Sequence, residues 1–224
     1  MDTQRISGFD LDGPRFGPAA GGGARQLVVL LHGLGADGND LIGLAPHLAR
    51  GLPDAAFVSP DAPFPCDMAP YGRQWFSLQN RAPEAVLAGV RAAAPILDGF
   101  LDDELARHGL SDGQLALVGF SQGTMTGLYV GLRRAEPCAQ IVGFSGALVG
   151  PENLEREIRS RPPVLLVHGE ADEVVPFPAL AAAQAALETC QVPVETHGRP
   201  GLGHEIDQQG LELAAAALER AFAG

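Results

Sequence analysis

The chain predicts an α/β protein with a mostly parallel central sheet covered by helices on both faces. Three observations lead there. Short β-branched and leucine-rich runs end in glycine, alanine- and leucine-rich helical stretches alternate with them, and 224 residues suit one domain with one sizeable core. A single domain over residues 1–224 is therefore expected.

In chain order, Ile6 to Phe9 and Pro14 to Phe16 read as an antiparallel edge hairpin, although Gly8, Gly13 and Pro14 weaken it. The glycine-rich stretch Ala19 to Gly23 reads as a flexible connection. Strands are expected at Gln26 to Leu31, Ala55 to Ser59, Leu115 to Phe120, Gln140 to Ser145, Val164 to His168 and Val192 to His197, each too short for a helix and closed by turn chemistry. Helices are expected at Asp40 to Arg50, Pro83 to His108, Gln122 to Ala135, Glu152 to Ser160, Pro178 to Cys190 and Asp207 to Phe222. Residues Pro60 to Ala82 resist the scheme: prolines and glycines interrupt Phe64, Met68, Tyr71, Trp75, Phe76 and Leu78. Loops of this length inside a compact domain are usually functional. Two readings stay open, an acyl-binding wall beside the site or a surface segment whose aromatics plug into the core.

Composition removes several classes of function. Acidic residues outnumber basic ones by 27 to 15, for a net charge of −12, so phosphate backbones and anionic lipid surfaces are repelled and nucleic acid is not an expected partner. Every basic residue is arginine, which removes Schiff-base chemistry, a phosphate-binding lysine and a Ser-Lys dyad together. Cys66, Cys138 and Cys190 lie far apart and read as buried or incidental thiols. No apolar run reaches the roughly 18 residues that a membrane span needs, and Met1 to Gly17 lacks the continuous apolar stretch of a secretory signal. A cytoplasmic enzyme without stable membrane insertion is the expectation, its oligomeric state left open.

The chemistry concentrates at Gly119-Phe120-Ser121-Gln122-Gly123, a Gly-x-Ser-x-Gly pattern between an expected strand and an expected helix. Such a turn holds a nucleophilic serine where flanking Cβ atoms would find no room. The pattern alone is weak. Gly143-Phe144-Ser145-Gly146-Ala147 is a near miss that lacks the second flanking glycine. The remaining partners follow in the required order: Asp172 just past the strand Val164 to Val167, and His204 in Gly201-Leu202-Gly203-His204-Glu205 past Val192 to Thr196. Both stand beyond carboxyl ends of strands, where parallel sheets place their ligand sites. A serine hydroxyl becomes a nucleophile when a neutral imidazole takes its proton and a carboxylate fixes the tautomer. The oxyanion that forms needs backbone N–H donors, each worth roughly 3 to 4 kcal/mol. The amides of Gln122, at the head of the elbow helix, and Leu34, in His32-Gly33-Leu34-Gly35, are the candidates.

The run Leu31 to Asp40, together with Gly119 to Gly123, Phe144 to Leu148, His168 to Pro176 and Gly203-His204-Glu205, resembles the phospholipase/carboxylesterase family that includes the acyl-protein thioesterases. The likeness runs from about Gln26 to the C-terminus, whereas the glycine-rich N-terminal stretch has no counterpart. It implies an α/β-hydrolase fold without a large cap domain, no cofactor or metal, and hydrolysis of short to medium acyl esters. Motif by motif it implies Ser121, Asp172 and His204 as the triad and the Leu34 and Gln122 amides as the oxyanion hole. Arg73-Gln74-Trp75-Phe76-Ser77 resembles the family's substrate-side loop, and Trp75, Phe76, Met68 and Leu202 are the expected substrate-binding side chains. His32 and His168 are expected to hold loops by hydrogen bonds; His47, His108 and His197 are expected at the surface or in packing. Three alternatives stay open: an acyl-protein thioesterase acting on acylated proteins, a lysophospholipase, and a non-catalytic protein that keeps the fold for ligand binding.

Overall fold

The computed structural model describes residues 11–223. Its elements are β1 (Arg15–Phe16), β2 (Gln26–Leu31), α1 (Gly38–Ile42), α2 (Ala45–Leu48), β3 (Ala55–Val58), β4 (Phe64–Pro65), β5 (Arg73–Gln74), α3 (Pro83–His108), β6 (Leu115–Phe120), α4 (Gln122–Gly131), β7 (Gln140–Phe144), α5 (Pro151–Glu157), β8 (Val164–Gly169), α6 (Pro178–Thr189), β9 (Val194–Arg199) and α7 (Gln208–Phe222). Among the described residues seven strands form one sheet in the order β1-β3-β2-β6-β7-β8-β9, in which only the β1–β3 pairing is antiparallel. This is the mostly parallel sheet that the alternation of elements implied, in the α/β-hydrolase arrangement that the family resemblance implied. Between β3 and α3 the chain carries only the small antiparallel hairpin β4–β5.

The strand sequences divide the core by parity, because successive side chains point to opposite faces. Leu27, Val29 and Leu31 of β2, Leu115 and Leu117 of β6, and Val164 and Leu166 of β8 meet α3, α4 and α6 through Leu97, Leu101, Leu128, Leu180 and Leu187. Val28, Leu30, Ala116, Val118, Val142, Leu165 and Val167 face the other way, onto Leu41, Leu48, Ala214 and Leu218 of α1, α2 and α7. Apolar runs that point both ways are what a doubly covered parallel sheet needs.

Several boundaries differ from expectation for identifiable reasons. Asp40 to Arg50 splits into α1 and α2 because Pro46 has no N–H to offer Ile42 and its ring crowds that carbonyl. The α4 helix stops at Gly131, where the Ser160 hydroxyl takes the Gly131 carbonyl and the Arg159 amide takes that of Leu132. Helix α5 and strand β9 are offset by a few residues, β9 beginning only after Pro193. Pro95, by contrast, is absorbed within the uninterrupted α3. Of the expected N-terminal hairpin, Arg15–Phe16 pairs with β3 as an edge strand, while Ile6 to Phe9 lies outside the described residues. Buried Arg134 gathers Asp98 and Asp102 of α3 with Asp112 of the following turn, fastening α3 to the end of α4. Among the described residues no helix is long and apolar enough to cross a membrane.

Candidate active site

Strand β6 turns into helix α4 through Ser121, whose φ of 53° and ψ of −115° lie outside the regions most residues adopt. The glycines around it answer to close backbone approach. A Cβ at Gly119 would stand 2.5 Å from the Thr124 nitrogen, and one at Gly123 would stand 1.9 Å from the Leu31 carbonyl oxygen. The Ser121 amide donates to the Phe144 carbonyl at 2.8 Å, and the Thr124 hydroxyl lies 2.8 Å from the Gly119 and 2.9 Å from the Phe144 carbonyl oxygen. These contacts hold the strained turn between β2 and β7, which is how such strain persists.

The loop of residues 200–207, after β9, carries His204 to the same place. Its base is closed by an ion pair between Arg199 at the end of β9 and Asp207 at the start of α7, 2.7 Å apart. The Arg199 guanidinium and the Gly210 amide hold the Asp207 carboxyl below its ordinary range. His204 Nε2 lies 3.0 Å from the Ser121 hydroxyl, and Nδ1 lies 2.8 Å from Asp172 Oδ2. The acid loop presses directly on this loop: the Ala171 amide donates to the Leu202 carbonyl, and a Cβ at Gly169 would meet the Gly203 carbonyl oxygen at 2.2 Å.

The Asp172 side chain is shut off from solvent yet well supplied with donors. Its Oδ1 accepts the amides of Val174 at 2.8 Å and Val175 at 2.9 Å, leaving Oδ2 for His204. Burial pushes its pKa up, but the hydrogen bonds from His204 and the two amides outweigh it and hold the carboxyl below its ordinary value of 3.8. An ionised Asp172 can only accept, so Nδ1 of His204 carries the proton and the Nε2 lone pair faces the Ser121 hydroxyl. His168 holds this acid loop: its Nε2 lies 2.8 Å from the Val175 carbonyl and 3.3 Å from Asp172 Oδ2.

Opposite the imidazole lies the loop after β2. Gly33 lies against the elbow, where an added Cβ would come 3.4 Å from Ser121 Cβ, so Leu34 is the next amide along. The Gln122 amide, first in α4, has no carbonyl four residues back within the helix to reach. The following segment clamps this loop: Gly35 donates to the Arg73 carbonyl at 2.9 Å and Arg73 donates to the Ala36 carbonyl at 2.7 Å. His32 anchors the base of the loop. Its Nε2 accepts the Ala62 amide at 3.0 Å, so Nδ1 must bear the proton and donate to the Gly33 carbonyl at 2.7 Å.

Burial lowers the His32 pKa from its ordinary 6.5, with the Gly33 carbonyl opposing only in part. The folded state thus takes up its proton at lower pH than the unfolded chain, and the stability this supplies is complete above pH 6.5 and is lost as pH falls toward the depressed folded value. The melting temperature is therefore expected to fall as pH drops below 6.5, well before the carboxylates of Asp172 and Asp207 titrate, and this segment of the decline should vanish in His32→Gln. Thermal melts of both proteins from pH 8 to 5 check it; an identical slope in both would assign the decline to another group.

The structure thus brings Ser121, Asp172 and His204 together, with Gln122 directly after Ser121 at the head of α4 and Gly33 of the β2 loop against the elbow. Trp75 and Phe76 are sealed in the core, where the Trp75 indole donates to the His32 carbonyl at 3.0 Å, whereas Met68 is 49% exposed at the tip of the β4–β5 hairpin and Leu202 is half-buried beside His204. Of the two readings of the Pro60 to Ala82 loop, the one in which aromatics plug into the core describes Trp75 and Phe76. Ser145 also has positive φ, but it is buried in the core and its hydroxyl has no hydrogen-bond partner. Reading the sequence did not find the Gln122 side chain, whose amide grips the backbone of Trp75 and Phe76, or the guanidinium of Arg73, which donates to the carbonyls of Ala62 and Pro63.

Comparison with known proteins agrees with this geometry. The family described as Phospholipase/Carboxylesterase matches residues 19–221. Esterase YpfH of Escherichia coli (strain K12) is 30% identical over 193 residues, covering 85% of this chain and 81% of its own length. The crystal structure of esterase PE8 superposes with a TM-score of 0.90 at 46% identity, covering 95% of this chain and 99% of that one. That of Zea mays acyl-protein thioesterase 2 gives 0.76 at 26% identity, with 93% and 97% covered. With strand order, elbow and histidine loop in place and a match across almost the whole length, the chain belongs to the phospholipase/carboxylesterase family of α/β-hydrolases.

Proposed function

We propose that this chain is a serine esterase that hydrolyses short to medium acyl esters through an acyl-enzyme. The observation that carries the reading is the continuous relay from Asp172 Oδ2 through His204 to the Ser121 hydroxyl, at 2.8 and 3.0 Å. Ser121 Oγ attacks the acyl carbonyl while His204 Nε2 takes its proton, and Asp172 stabilises the imidazolium. The amides of Leu34 and Gln122 receive the oxyanion, helped by the positive end of α4. Collapse expels the alcohol, which takes the proton from His204; water then repeats the sequence to release the acid and restore Ser121. Met68 and Leu202 face the acyl chain, and Trp75 and Phe76 back the wall from within the core. No cofactor enters these steps, and a cytoplasmic location is part of the same reading.

A panel of p-nitrophenyl esters from acetate to palmitate tests this directly. Turnover is expected to be greatest for short to medium chains and to disappear after stoichiometric labelling by a serine-directed fluorophosphonate. A protein that neither turns over any of these esters nor takes the label is a ligand binder instead. The likeness to the maize acyl-protein thioesterase favours one second reading, thioester hydrolysis, since the same nucleophile and amides serve both acyl groups. An acyl thioester run beside the matched ester separates them by the ratio of kcat/KM.

A further inference from the structure

The two candidate oxyanion donors come from segments far apart in the chain, one after β2 and one at the head of α4. Their relative position has to be held by something rigid, because donors misplaced by a fraction of an ångström lose much of their effect. A single short segment, residues 72–76, touches both. At one end the Arg73 backbone makes a reciprocal pair of hydrogen bonds with Gly35 and Ala36, directly after Leu34, and Gly72 packs so closely that a Cβ there would meet the Gly35 carbonyl oxygen at 2.0 Å. In the middle the Trp75 indole fixes the His32 carbonyl. At the other end the Gln122 side chain, fully buried, uses both halves of its carboxamide: Oε1 accepts the Trp75 amide at 2.8 Å and Nε2 donates to the Phe76 carbonyl at 2.7 Å. The residue that offers one donor through its backbone thus grips, through its side chain, the strut that locates the other.

We propose that the Gln122 carboxamide is a positioning residue that sets the spacing of the oxyanion hole, and that the base of the β4–β5 hairpin is its strut. The Arg73 guanidinium, donating to Ala62 and Pro63, steadies the far end of that strut. This rests on the serine-esterase reading. It makes a demand that plain structural support would not: acylation and deacylation pass through similar tetrahedral oxyanions, so both must slow together while ground-state binding stays unchanged.

The test is Gln122→Met, which fills the same volume without hydrogen bonds, measured with p-nitrophenyl butyrate on enzyme titrated by fluorophosphonate. The rate constant of the pre-steady-state burst and the steady-state rate are expected to fall by the same factor, about 10- to 100-fold, with the burst amplitude unchanged and KM within about twofold. Affinity for an alkyl boronic acid, which mimics the tetrahedral state, should fall in parallel. Unchanged rates, or a change confined to KM, overturn the proposal. Arg73→Met should give the same signature at smaller amplitude, and it carries the test alone if Gln122→Met does not fold; wild-type rates there overturn it equally. Turnover or labelling that survives Ser121→Ala would instead overturn the esterase reading itself, so the two failures are distinguishable.

Discussion

Ser121→Ala is expected to lower ester turnover by about four orders of magnitude or more while leaving the melting temperature within a few degrees of the parent. The asymmetry follows from what is removed. In the proposed mechanism the hydroxyl is the attacking atom; structurally it contributes one hydrogen bond to His204 at a nearly buried position, and alanine keeps the Cβ and the φ of 53° that the surroundings already enforce. What turnover remains reflects the oxyanion donors and binding acting on water. The internal control is Ser145→Ala: that serine shares the positive φ and the neighbouring glycine, yet its hydroxyl meets no imidazole, so turnover should stay near that of the parent. Initial rates on a p-nitrophenyl ester with parallel melts check both. An inactive Ser145→Ala beside an active Ser121→Ala would mean that the nucleophile has been assigned to the wrong strand end.

The second large effect is structural. Gly123→Ala is expected to destabilise the fold by about 3 kcal/mol or more, because the new methyl would sit 1.9 Å from the Leu31 carbonyl oxygen and 2.8 Å from that of His32. Both obstacles are backbone of β2 and the loop beyond it, so neither can swing aside as a long side chain would. Relief requires the head of α4 to retreat from β2, which carries the Gln122 amide away from Leu34. Denaturant titration should show the loss in midpoint with little change in slope. Stability within experimental error of the parent would mean that the elbow is held less tightly against β2 than the coordinates place it.

Much of this architecture was legible before any coordinates. Five of the six main strands announce themselves because the core is divided by parity across each of them and that division leaves apolar runs in the sequence, whereas β9, Val-Glu-Thr-His-Gly-Arg at the sheet edge, has none. The relay residues were legible for a different reason: each follows a strand, and glycines mark the loops of Ser121 and Asp172 where backbone approaches backbone, at Gly119, Gly123 and Gly169. What the sequence could not convey is contact between segments. Pro46 lies within an apparently helical pattern, as Pro95 does, yet one divides its helix and the other does not. The difference lies in whether a long helix packed along the sheet holds the surrounding turns in place. Trp75 and Phe76 looked like groups offered to a ligand because nothing in their order shows that the indole would be used up on the His32 carbonyl. The Gln122 carboxamide was invisible for the same reason, its two partners lying 46 and 47 residues away.

The placement of the relay across the sheet has a last consequence. Ser121 stands at the end of β6, the middle strand of seven, whereas Asp172 and His204 follow β8 and β9, the last pair at one margin. A marginal strand has a single neighbour, so it is the first to fray when a sheet opens locally. Opening of β9 alone withdraws the imidazole, while Asp172, which follows the doubly paired β8, and the Ser121 hydroxyl stay embedded. On the proposed function, turnover is therefore expected to be lost on heating before the fold melts, and to return when β9 pairs with β8 again.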